Sequence, residues 1–498
     1  MDTLIEWTRE NTLISSLIII VTVAYFTHRI LYKRQNLPPG PLGLPIVGYL
    51  PFIIKDAPQK LYKLRVKYGD IISIYLGSRY TVILNDYSSI KEGLNDSNIL
   101  ARPPQMPFDL LNKIKYTKTG FGGKLWLEQR RFILHVLRDL GLGKNKMEEF
   151  IKEEISLVLK EFKRFNGEPL LANEILTPSV SNVIGSLVFG RRLEYNSKER
   201  KLLDHGLKTL GKFIGKNSFL IFIPWLRPLV RHFSFFNYKE AVTAMNNVTT
   251  FVKQEIQEHE MTLDSNNIRD YIDGYLTELK SRNGDDKSYF DEDMLIQTTQ
   301  QLFGAGSGTV RESLSWAFLT MAKYPSVQKR VQQEIDNTIG KHRLPDWADH
   351  PKLPFTQAVI YELQRWKTIA PLNILRYCVK DTTVKSVKIP KGSIVLANIW
   401  AVHNDKNYWK DPEVFRPERF LDETGSKLIR HEFYIPFSYG RMSCPGEGMA
   451  KEEIFLYFTT ILQNFTIKPP EGKDLDLEGN FGIVYISKPQ KLHFVERE

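Results

Sequence analysis

The stretch FSYGRMSCPGEGMA, residues 437–450, contains one of only two cysteines in a chain of 498 residues. Cys444 stands seven residues after Phe437, between a glycine-rich turn and a run with helical periodicity. Gly440 and Gly446 allow a tight backbone that directs amide N–H groups at the sulfur. A helix that starts here adds the positive end of its dipole, which favours a thiolate. A lone cysteine is more commonly a small buried side chain, but that interpretation leaves the aromatic residue and the glycines unexplained.

Two further motifs precede this loop. YELQR supplies Glu362 and Arg365, which lie three residues apart and can pair on one face of a helix. FRPERF, residues 415–420, supplies Arg419. The loop around Cys444 matches Phe-x-x-Gly-x-Arg-x-Cys-x-Gly-x-x-x-Ala at all but one position, so the sequence resembles the cytochrome P-450 family, and its microsomal members most closely. In that family the Arg of P-E-R-F closes an ion-pair triad with the Glu and Arg of E-x-x-R.

The resemblance implies a fold that is mainly α with a small β region, the cytochrome P-450 fold, and heme b as cofactor. Cys444 would be the axial ligand of the iron, since a thiolate is a strong ligand that needs nearby hydrogen-bond donors and shelter from solvent. Phe437 would cover the sulfur. Trp126 and Arg130 in WLEQRR are spaced i, i+4 and match positions that face a heme propionate, and Arg376 matches a second propionate-binding position.

Two positions depart from the family pattern. Met442 stands where the family has an arginine, and the loss of one charge-assisted bond to a propionate would weaken heme binding by about 1.5–3 kcal/mol. In LFGAGSGTVRESLSW, Gly308 replaces the family's acid and Val310 its second hydroxyl residue. Thr309 matches the catalytic residue that helps deliver protons during O2 activation, with a capping or packing role as the alternative. Glu312, one turn on, is a candidate for a longer proton route.

The N-terminus carries a membrane signal. The run from Leu13 to Phe26 has no charge, basic residues follow it, and mostly acidic residues precede it. The positive-inside rule then places the bulk of the chain in the cytosol. We expect a single transmembrane helix as the anchor (residues 1–34), a proline-rich hinge (35–48) and a cytochrome P-450 catalytic domain (49–498). A cleaved signal peptide and a buried core helix are the alternatives, and the position of the basic residues disfavours the first.

Segments with a period of 3.6 residues dominate the remaining chain. They span 59–68, 125–139, 147–163, 199–215, 238–260, 293–323, 325–340, 354–367 and 447–463. Short β-type runs occur at 71–76, 80–84, 394–399 and near the C-terminus. SFLIFIPWLRPL, residues 218–229, is apolar with a single charge. It is either an ordinary buried helix or a surface element that dips into the bilayer beside the anchor.

The charge of the chain restricts its partners. Its 68 Lys+Arg and 57 Asp+Glu give a net charge of +11, spread without the basic runs that bind nucleic acid. Anionic lipid or an acidic protein suits this charge better. No G-x-G-x-x-G fingerprint occurs, so NADPH electrons would enter through a separate protein. The resemblance implies NADPH-cytochrome P-450 reductase, with cytochrome b5 as a second donor, and an endoplasmic reticulum membrane location.

The function that follows is a membrane-bound heme-thiolate monooxygenase. It would insert one atom of O2 into a lipophilic small molecule by hydroxylation or epoxidation. By family analogy the pocket walls come from 101–122, Phe303–Thr309, Ala370–Leu375 and Phe481–Ile483, which are mainly apolar. Two alternatives stay open: an isomerase or dehydratase that acts on peroxides without O2, which Gly308 permits, and a heme-containing binding protein without catalysis.

Overall fold

Long helices form most of the structure, a computed structural model that describes residues 37–111, 123–140, 145–282 and 289–498 and isolated helical positions between 14 and 27. The helices are α1 (Leu50–Ile53), α2 (Ala57–Tyr68), α3 (Tyr87–Asn95), α4 (Gly123–Asp139), α5 (Asn145–Arg164), α6 (Ala172–Phe189), α7 (Lys198–Asn217), α8 (Tyr238–Thr262), α9 (Tyr271–Ser281), α10 (Glu292–Lys323), α11 (Pro325–Thr338), α12 (Pro354–Trp366), α13 (Ile399–His403) and α14 (Glu447–Asn464). Every segment with predicted helical periodicity is helical, with ends that differ by a few residues.

The periodicity missed α6 for a physical reason. This helix is buried on nearly all sides and contains Pro178. A helix without a solvent face has no alternation between apolar and polar sides, so it lacks the pattern that identified the predicted helices. The shorter helices α1, α3, α9 and α13 were not predicted either. α6 packs closely against α10. A Cβ on Gly306 would lie only 2.8 Å from the Ile184 side chain, so the two helices are in contact at this glycine.

Short strands form the β region. They are β1 (Ile71–Leu76), β2 (Arg79–Leu84), β3 (Arg376–Tyr377), β4 (Thr382–Val384), β5 (Val387–Ile389), β6 (Ile394–Ala397), β7 (Phe465–Lys468), β8 (Gly479–Phe481), β9 (Tyr485–Ser487) and β10 (His493–Glu496). The largest sheet has the order β1-β2-β6-β3. β2 pairs parallel to β6, and β3 pairs antiparallel to β6 with Arg376 opposite Val395. The sheet therefore places Arg376 inside the fold. The remaining strands form the pairs β4-β5, β7-β10 and β8-β9.

The proline-rich segment lies against the sheet. The Ser73 amide of β1 donates to Pro39 O at 2.9 Å, and the Ser73 hydroxyl donates to Pro38 O at 2.5 Å. A Cβ on Gly40 would lie 1.7 Å from Ser73 O, so only glycine fits this approach. The described part of the predicted hinge is thus held on β1 by backbone contacts.

The predicted anchor, residues 1–34, lies outside the described residues apart from isolated positions. Within the part of the chain that the structure describes, no helix is both long and apolar enough to cross a membrane.

The apolar segment SFLIFIPWLRPL is no ordinary buried helix. It forms two 3-10 helices, Ser218–Ile221 and Pro224–Arg231, and Phe222 O between them accepts the Ser78 amide of the β1–β2 turn at 2.9 Å. The side chains divide between core and surface. Leu220 is fully buried, whereas Trp225 is 54% exposed. Two exposed aromatic residues follow the segment, Phe233 (56%) and Phe235 (65%), and with Trp225 they are called the apolar patch below.

Candidate active site

Glu362 and Arg365 pair as their spacing predicts, and Arg419 completes the triad that the family resemblance implies. On α12, Arg365 donates through Nε and Nη2 to the two carboxylate oxygens of Glu362, each at 2.7 Å, and both residues are fully buried. Nε of Arg419 lies 3.0 Å from Glu362 Oε1 and closes the triad. Arg365 also donates to the carbonyl oxygens of His403 at 2.7 Å and Pro412 at 2.9 Å. The triad therefore ties α12 to the chain that leads into the cysteine loop.

The loop around Cys444 has a conformation that requires glycine at one position. Gly440 has a φ of +75°, and a Cβ there would lie 2.6 Å from a backbone carbonyl oxygen of α3. The Cys444 amide donates to Phe437 O at 2.9 Å, which closes the loop. α14 begins at Glu447, with Gly446 as its N-cap residue. The helix thus starts directly after the cysteine, where its positive end lies near the sulfur.

Cys444 is exposed to solvent. Protein still surrounds it closely enough that burial raises the pKa of this thiol above its usual value of 9.0. A hydrogen bond from the Gly446 amide and the charge of Arg130 lower the pKa, and the charge of Glu447 raises it. A metal cation at the sulfur would outweigh the desolvation, because a coordinating thiol is deprotonated.

Trp126 and Arg130 meet on α4, as their i, i+4 spacing predicts. The guanidinium carbon of Arg130 lies 5.2 Å from the centroid of the Trp126 ring. Nη2 of Arg130 donates to Ser443 O at 2.7 Å. Because Ser443 directly precedes Cys444, this bond holds α4 against the cysteine loop.

Two further arginines lie on the sheet side of the loop. Arg376 is 1% exposed and donates through Nη2 to Met442 O at 3.1 Å, while its Nε and Nη1 have no partner among the described residues. Arg102 donates to Ile374 O at 3.0 Å and to Leu375 O at 2.9 Å. The sequence interpretation missed Arg102, because no spacing rule connects it with a position more than 270 residues away.

These three arginines form a cationic cluster: Arg102, Arg130 and Arg376. In the described part of the chain, none of them pairs with a carboxylate. Burial and the charge of Arg130 lower the pKa of Arg376 to about 10. Burial, with the charges of the other two, lowers the pKa of Arg102 well below its usual value. Such a cluster is unfavourable unless an anion lies among its members. The two propionates of a heme would supply this anion, so the residues present fit that cofactor.

Met442 is accommodated without a charge. Its side chain is 5% exposed, and only its backbone carbonyl takes part in the cationic cluster. The neighbouring Arg441 is exposed to solvent. The structure therefore assigns no contact in the cluster to the Arg441 side chain, and Arg102 contributes a guanidinium that the sequence interpretation did not count.

One face of α10 remains unpacked within an otherwise buried helix. Gln301, Ala305 and Thr309, spaced four residues apart, are exposed, whereas Phe303 and Val310 are buried. The Thr309 hydroxyl donates to Ala305 O at 3.0 Å. This donor bond leaves the lone pairs of the hydroxyl oxygen available to accept a hydrogen bond.

The two candidate acid positions on α10 differ in their surroundings. A Cβ added to Gly308 would meet no atom within 4 Å, so space exists where the family has its acid. Glu312 is 2% exposed, and its carboxylate is engaged by Arg311 and Ser487. The hydrogen bonds of Glu312 thus do not lead to Thr309.

Comparison with known proteins agrees with this geometry. The sequence profile of the cytochrome P450 family matches residues 38–494. The chain is 37% identical to cytochrome P450 2F2 of Mus musculus over 456 residues, which cover 89% of this chain and 90% of that protein. It is 35% identical to cytochrome P450 2U1 of Rattus norvegicus over 482 residues, with 92% and 90% covered. It is also 35% identical to cytochrome P450 2C23 of Rattus norvegicus, with 94% and 95% covered.

A helical fold with a cysteine loop beside unpaired arginines defines the class of heme-thiolate enzymes, whose iron is held by a cysteine. With these relatives, the chain belongs to the cytochrome P450 family and is a cytochrome P450 monooxygenase.

Proposed function

We propose that this monooxygenase is membrane-bound, inserts one atom of O2 into a lipophilic substrate, and takes NADPH-derived electrons from a separate reductase. Cys444 is the axial ligand of its heme b. The observation that carries this assignment is the cationic cluster beside the Cys444 loop. Arg376 and Arg130 donate to the backbone carbonyls of Met442 and Ser443, and no arginine of the cluster has a described carboxylate partner.

Each residue of the loop has a role in this proposal. The Gly446 amide donates to the sulfur of Cys444 and stabilises negative charge there. Phe437 is half-buried, and its ring centroid lies 5.6 Å from Lys451 Nζ. Its role is to limit access of solvent to the thiolate. Gly440 keeps the loop against α3. Trp126, with Arg102, Arg130 and Arg376, binds the propionates. When bound, the heme supplies the oxygen-activating redox chemistry, which no side chain provides.

Thr309 is the proposed catalytic residue of α10. Its hydroxyl donates to Ala305 O and is exposed on the unpacked face of the helix. The hydroxyl oxygen can therefore accept a hydrogen bond from a water molecule that supplies protons. With glycine at position 308, no carboxylate adjoins Thr309 in the sequence to replenish that proton. Water held at Thr309 would then be the proton source, and proton delivery is expected to be slower than with an adjacent acid.

Apolar surface supports a lipophilic substrate and a membrane location. Within the pocket-wall segments, Ala305, Ile374 (46%) and Ile483 (41%) are exposed, and the segment 101–122 is described up to residue 111. The segment that contains Trp225 is bonded to the β1–β2 turn through Phe222 O, and the apolar patch would enter the headgroup region of a bilayer. Together with the uncharged N-terminal run, this supports a single-pass protein of the endoplasmic reticulum membrane with a cytosolic catalytic domain.

Basic side chains around the cysteine loop suit an acidic electron donor. α4, which Arg130 holds against the loop, exposes Lys124, Arg131 and Arg138, and Arg441 is exposed on the loop itself. Charge complementarity raises association rates and orients partners. NADPH-cytochrome P-450 reductase is the proposed partner, with cytochrome b5 as a second donor.

The test replaces each cysteine in turn and records the reduced carbon monoxide difference spectrum. Cys444→Ala is expected to lose the thiolate signature. Cys378→Ala is the matched control, because its sulfur is buried and donates to Lys380 O at 2.9 Å, outside the loop. An unchanged signature in Cys444→Ala would refute the assignment. Product formation that requires NADPH and reductase supports the monooxygenase, whereas reductant-free conversion of a peroxide would indicate the isomerase instead.

A further inference from the structure

The β8–β9 hairpin is attached to α10 by two side chains one turn apart. Ser487 of β9 donates to Glu312 Oε2 through its amide at 3.2 Å and its hydroxyl at 3.4 Å. The indole Nε1 of Trp316 donates to Tyr485 O at 3.1 Å. The rings of Trp316 and Tyr485 stack with centroids 5.3 Å apart and an interplanar angle of 8°. Both ends of β9 are therefore hydrogen-bonded to α10, the helix that contains Thr309.

The contact at the Trp316 end is tightly packed. A Cβ on Gly479 of β8 would lie 2.8 Å from the Trp316 ring, and the Gly479 amide donates to the Tyr485 hydroxyl at 2.8 Å. The Tyr485 amide in turn donates to Ile369 O at 2.8 Å. Several contacts thus hold this end, whereas the Ser487 end is held to α10 by the carboxylate of Glu312.

Glu312 itself is placed to hold the hairpin. It is 2% exposed, and Nη2 of Arg311 donates to its Oε1 at 2.8 Å. The ion pair orients the carboxylate, while Oε2 accepts from Ser487. Both oxygens are committed to these partners, which argues for a positioning role and against the proton route that the sequence suggested.

We propose that Glu312 is a positioning residue that sets the location of the hairpin tip, residues 482–484, relative to the Thr309 face of α10. In doing so it limits the size of the substituents that the substrate pocket accepts. The exposed Ile483 at the tip, 41% exposed, is the apolar side chain whose position would change. This inference rests on the proposed function, in which the tip lines the pocket.

The first test reads the hairpin directly by hydrogen exchange of amides 479–487 in the full-length, heme-loaded protein. Glu312→Ala is expected to speed exchange of these amides at least about tenfold, because their local opening becomes easier. Glu312→Gln keeps an acceptor for Ser487 and is expected to stay within about threefold of wild type. Glu312→Asp keeps the charge but shortens the reach, and serves as the milder variant if Glu312→Ala fails to fold. It is expected to speed exchange in the same direction.

The matched control is Glu154→Ala on α5. Glu154 is also buried, at 3% exposure, and pairs with Arg192 at 3.0 Å. Its loss is expected to destabilise the fold without selective exchange in the hairpin. Equally accelerated exchange in the hairpin for Glu154→Ala and Glu312→Ala would show a merely structural role and overturn the proposal.

The second test measures affinity for imidazole and for 4-phenylimidazole from the shift of the heme absorbance band. Imidazole reports the heme alone, whereas the phenyl group also reports the pocket wall. Glu312→Ala is expected to change the ratio of the two affinities at least about fivefold, with Glu312→Gln near wild type. An unchanged ratio together with unchanged hydrogen exchange overturns the proposal. Absence of any imidazole shift in wild type would instead refute the heme assignment, and the hydrogen-exchange result would remain interpretable.

Discussion

Arg376 shows how a single buried cation depends on a bound group. It is 1% exposed, and two of its three guanidinium nitrogens have no described partner. Burial and the charge of Arg130 lower its pKa to about 10, so the fold alone does not compensate its charge. A propionate would provide the missing acceptor. The family resemblance implies that Arg376 binds a propionate, and the guanidinium nitrogens that lack a hydrogen-bond partner indicate the same role.

Arg376→Gln is therefore expected to speed heme loss to an acceptor protein. A hydrogen bond to a charged group is worth about 1.5–3 kcal/mol, and the variant is expected to lose heme affinity by that amount. Arg441→Gln is the matched control, because Arg441 is an exposed arginine close to Cys444 in sequence. It is expected to retain heme like wild type. Faster loss from Arg441→Gln than from Arg376→Gln would contradict the assignment.

Glu453 on α14 is a buried acid whose two oxygens have no partner among the described residues. Burial, and to a lesser degree the charge of Glu452, raises the pKa of Glu453 well above its usual value of 4.5. The folded protein keeps this group protonated at a pH where the unfolded chain ionises it. Its contribution to stability is therefore fully present below pH 4.5 and declines as the pH rises towards the folded-state pKa.

Glu453→Gln is expected to remove this pH dependence. The free energy of unfolding, measured by urea titration from about pH 5 to about pH 7, should fall less steeply than in wild type, by up to about 1.4 kcal/mol per pH unit. As the pH rises, the free energy of unfolding of the variant should therefore increase relative to that of wild type. Glu471→Gln, at an exposed position, should leave the slope unchanged. A parallel pair of curves for Glu453→Gln and wild type would show that Glu453 ionises in the folded state.

At the scale of an element, two of the three glycines of α10 have opposite roles. A Cβ on Gly306 would lie 2.8 Å from Cγ1 and 3.1 Å from Cβ of Ile184, so this glycine permits the close packing of α10 on α6. A Cβ on Gly308 would meet nothing within 4 Å. The first glycine is required by packing, while the second contributes only backbone freedom in a helix interior.

The two alanine variants are expected to change stability in opposite directions. Gly308→Ala should raise the free energy of unfolding by about 0.5–1 kcal/mol, the helix propensity difference. Gly306→Ala should lower it by about 1–3 kcal/mol, because the Cβ of Ile184 cannot rotate away. Thermal unfolding of the two variants side by side provides the measurement, and each serves as the control for the other. Equal shifts would mean that the helices separate freely at this contact.

At the scale of the whole molecule, we expect the apolar patch to contact the membrane in addition to the N-terminal run. Burial of a large apolar side chain is worth about 1.5–3 kcal/mol, and three exposed aromatic residues share this surface. A chain that lacks residues 1–34 is therefore expected to float partly with phosphatidylcholine–phosphatidylserine vesicles. Replacement of Trp225, Phe233 and Phe235 by serine in that chain should abolish most of the flotation without loss of heme.

Met261→Ser is the control for this experiment, since Met261 is 78% exposed on α8 and is not part of the apolar patch. It should float like the truncated chain itself. Flotation that persists after the triple replacement would place the second membrane contact elsewhere on the surface.

Features that depend on neighbours in the chain were predictable. Trp126 and Arg130, and Glu362 and Arg365, meet because three- and four-residue spacings share a helix face. The segments with a period of 3.6 residues are helical for the same reason, although that period did not identify the shorter α3 and α9. α6 escaped prediction because it is buried on nearly all sides and so has no period to detect.

The sequence by itself determined the family, the helical character and the motif around Cys444, because these are local patterns with fixed spacing. Through the family resemblance it also pointed to Trp126, Arg130 and Arg376 as candidate heme-binding residues. Only the tertiary structure decided which distant groups meet. It brings Arg102 to the cationic cluster, pairs Glu312 with Ser487 rather than with Thr309, and leaves open space at Gly308. Such contacts join segments up to hundreds of residues apart, and they are set by how helices and strands pack, which no local period encodes.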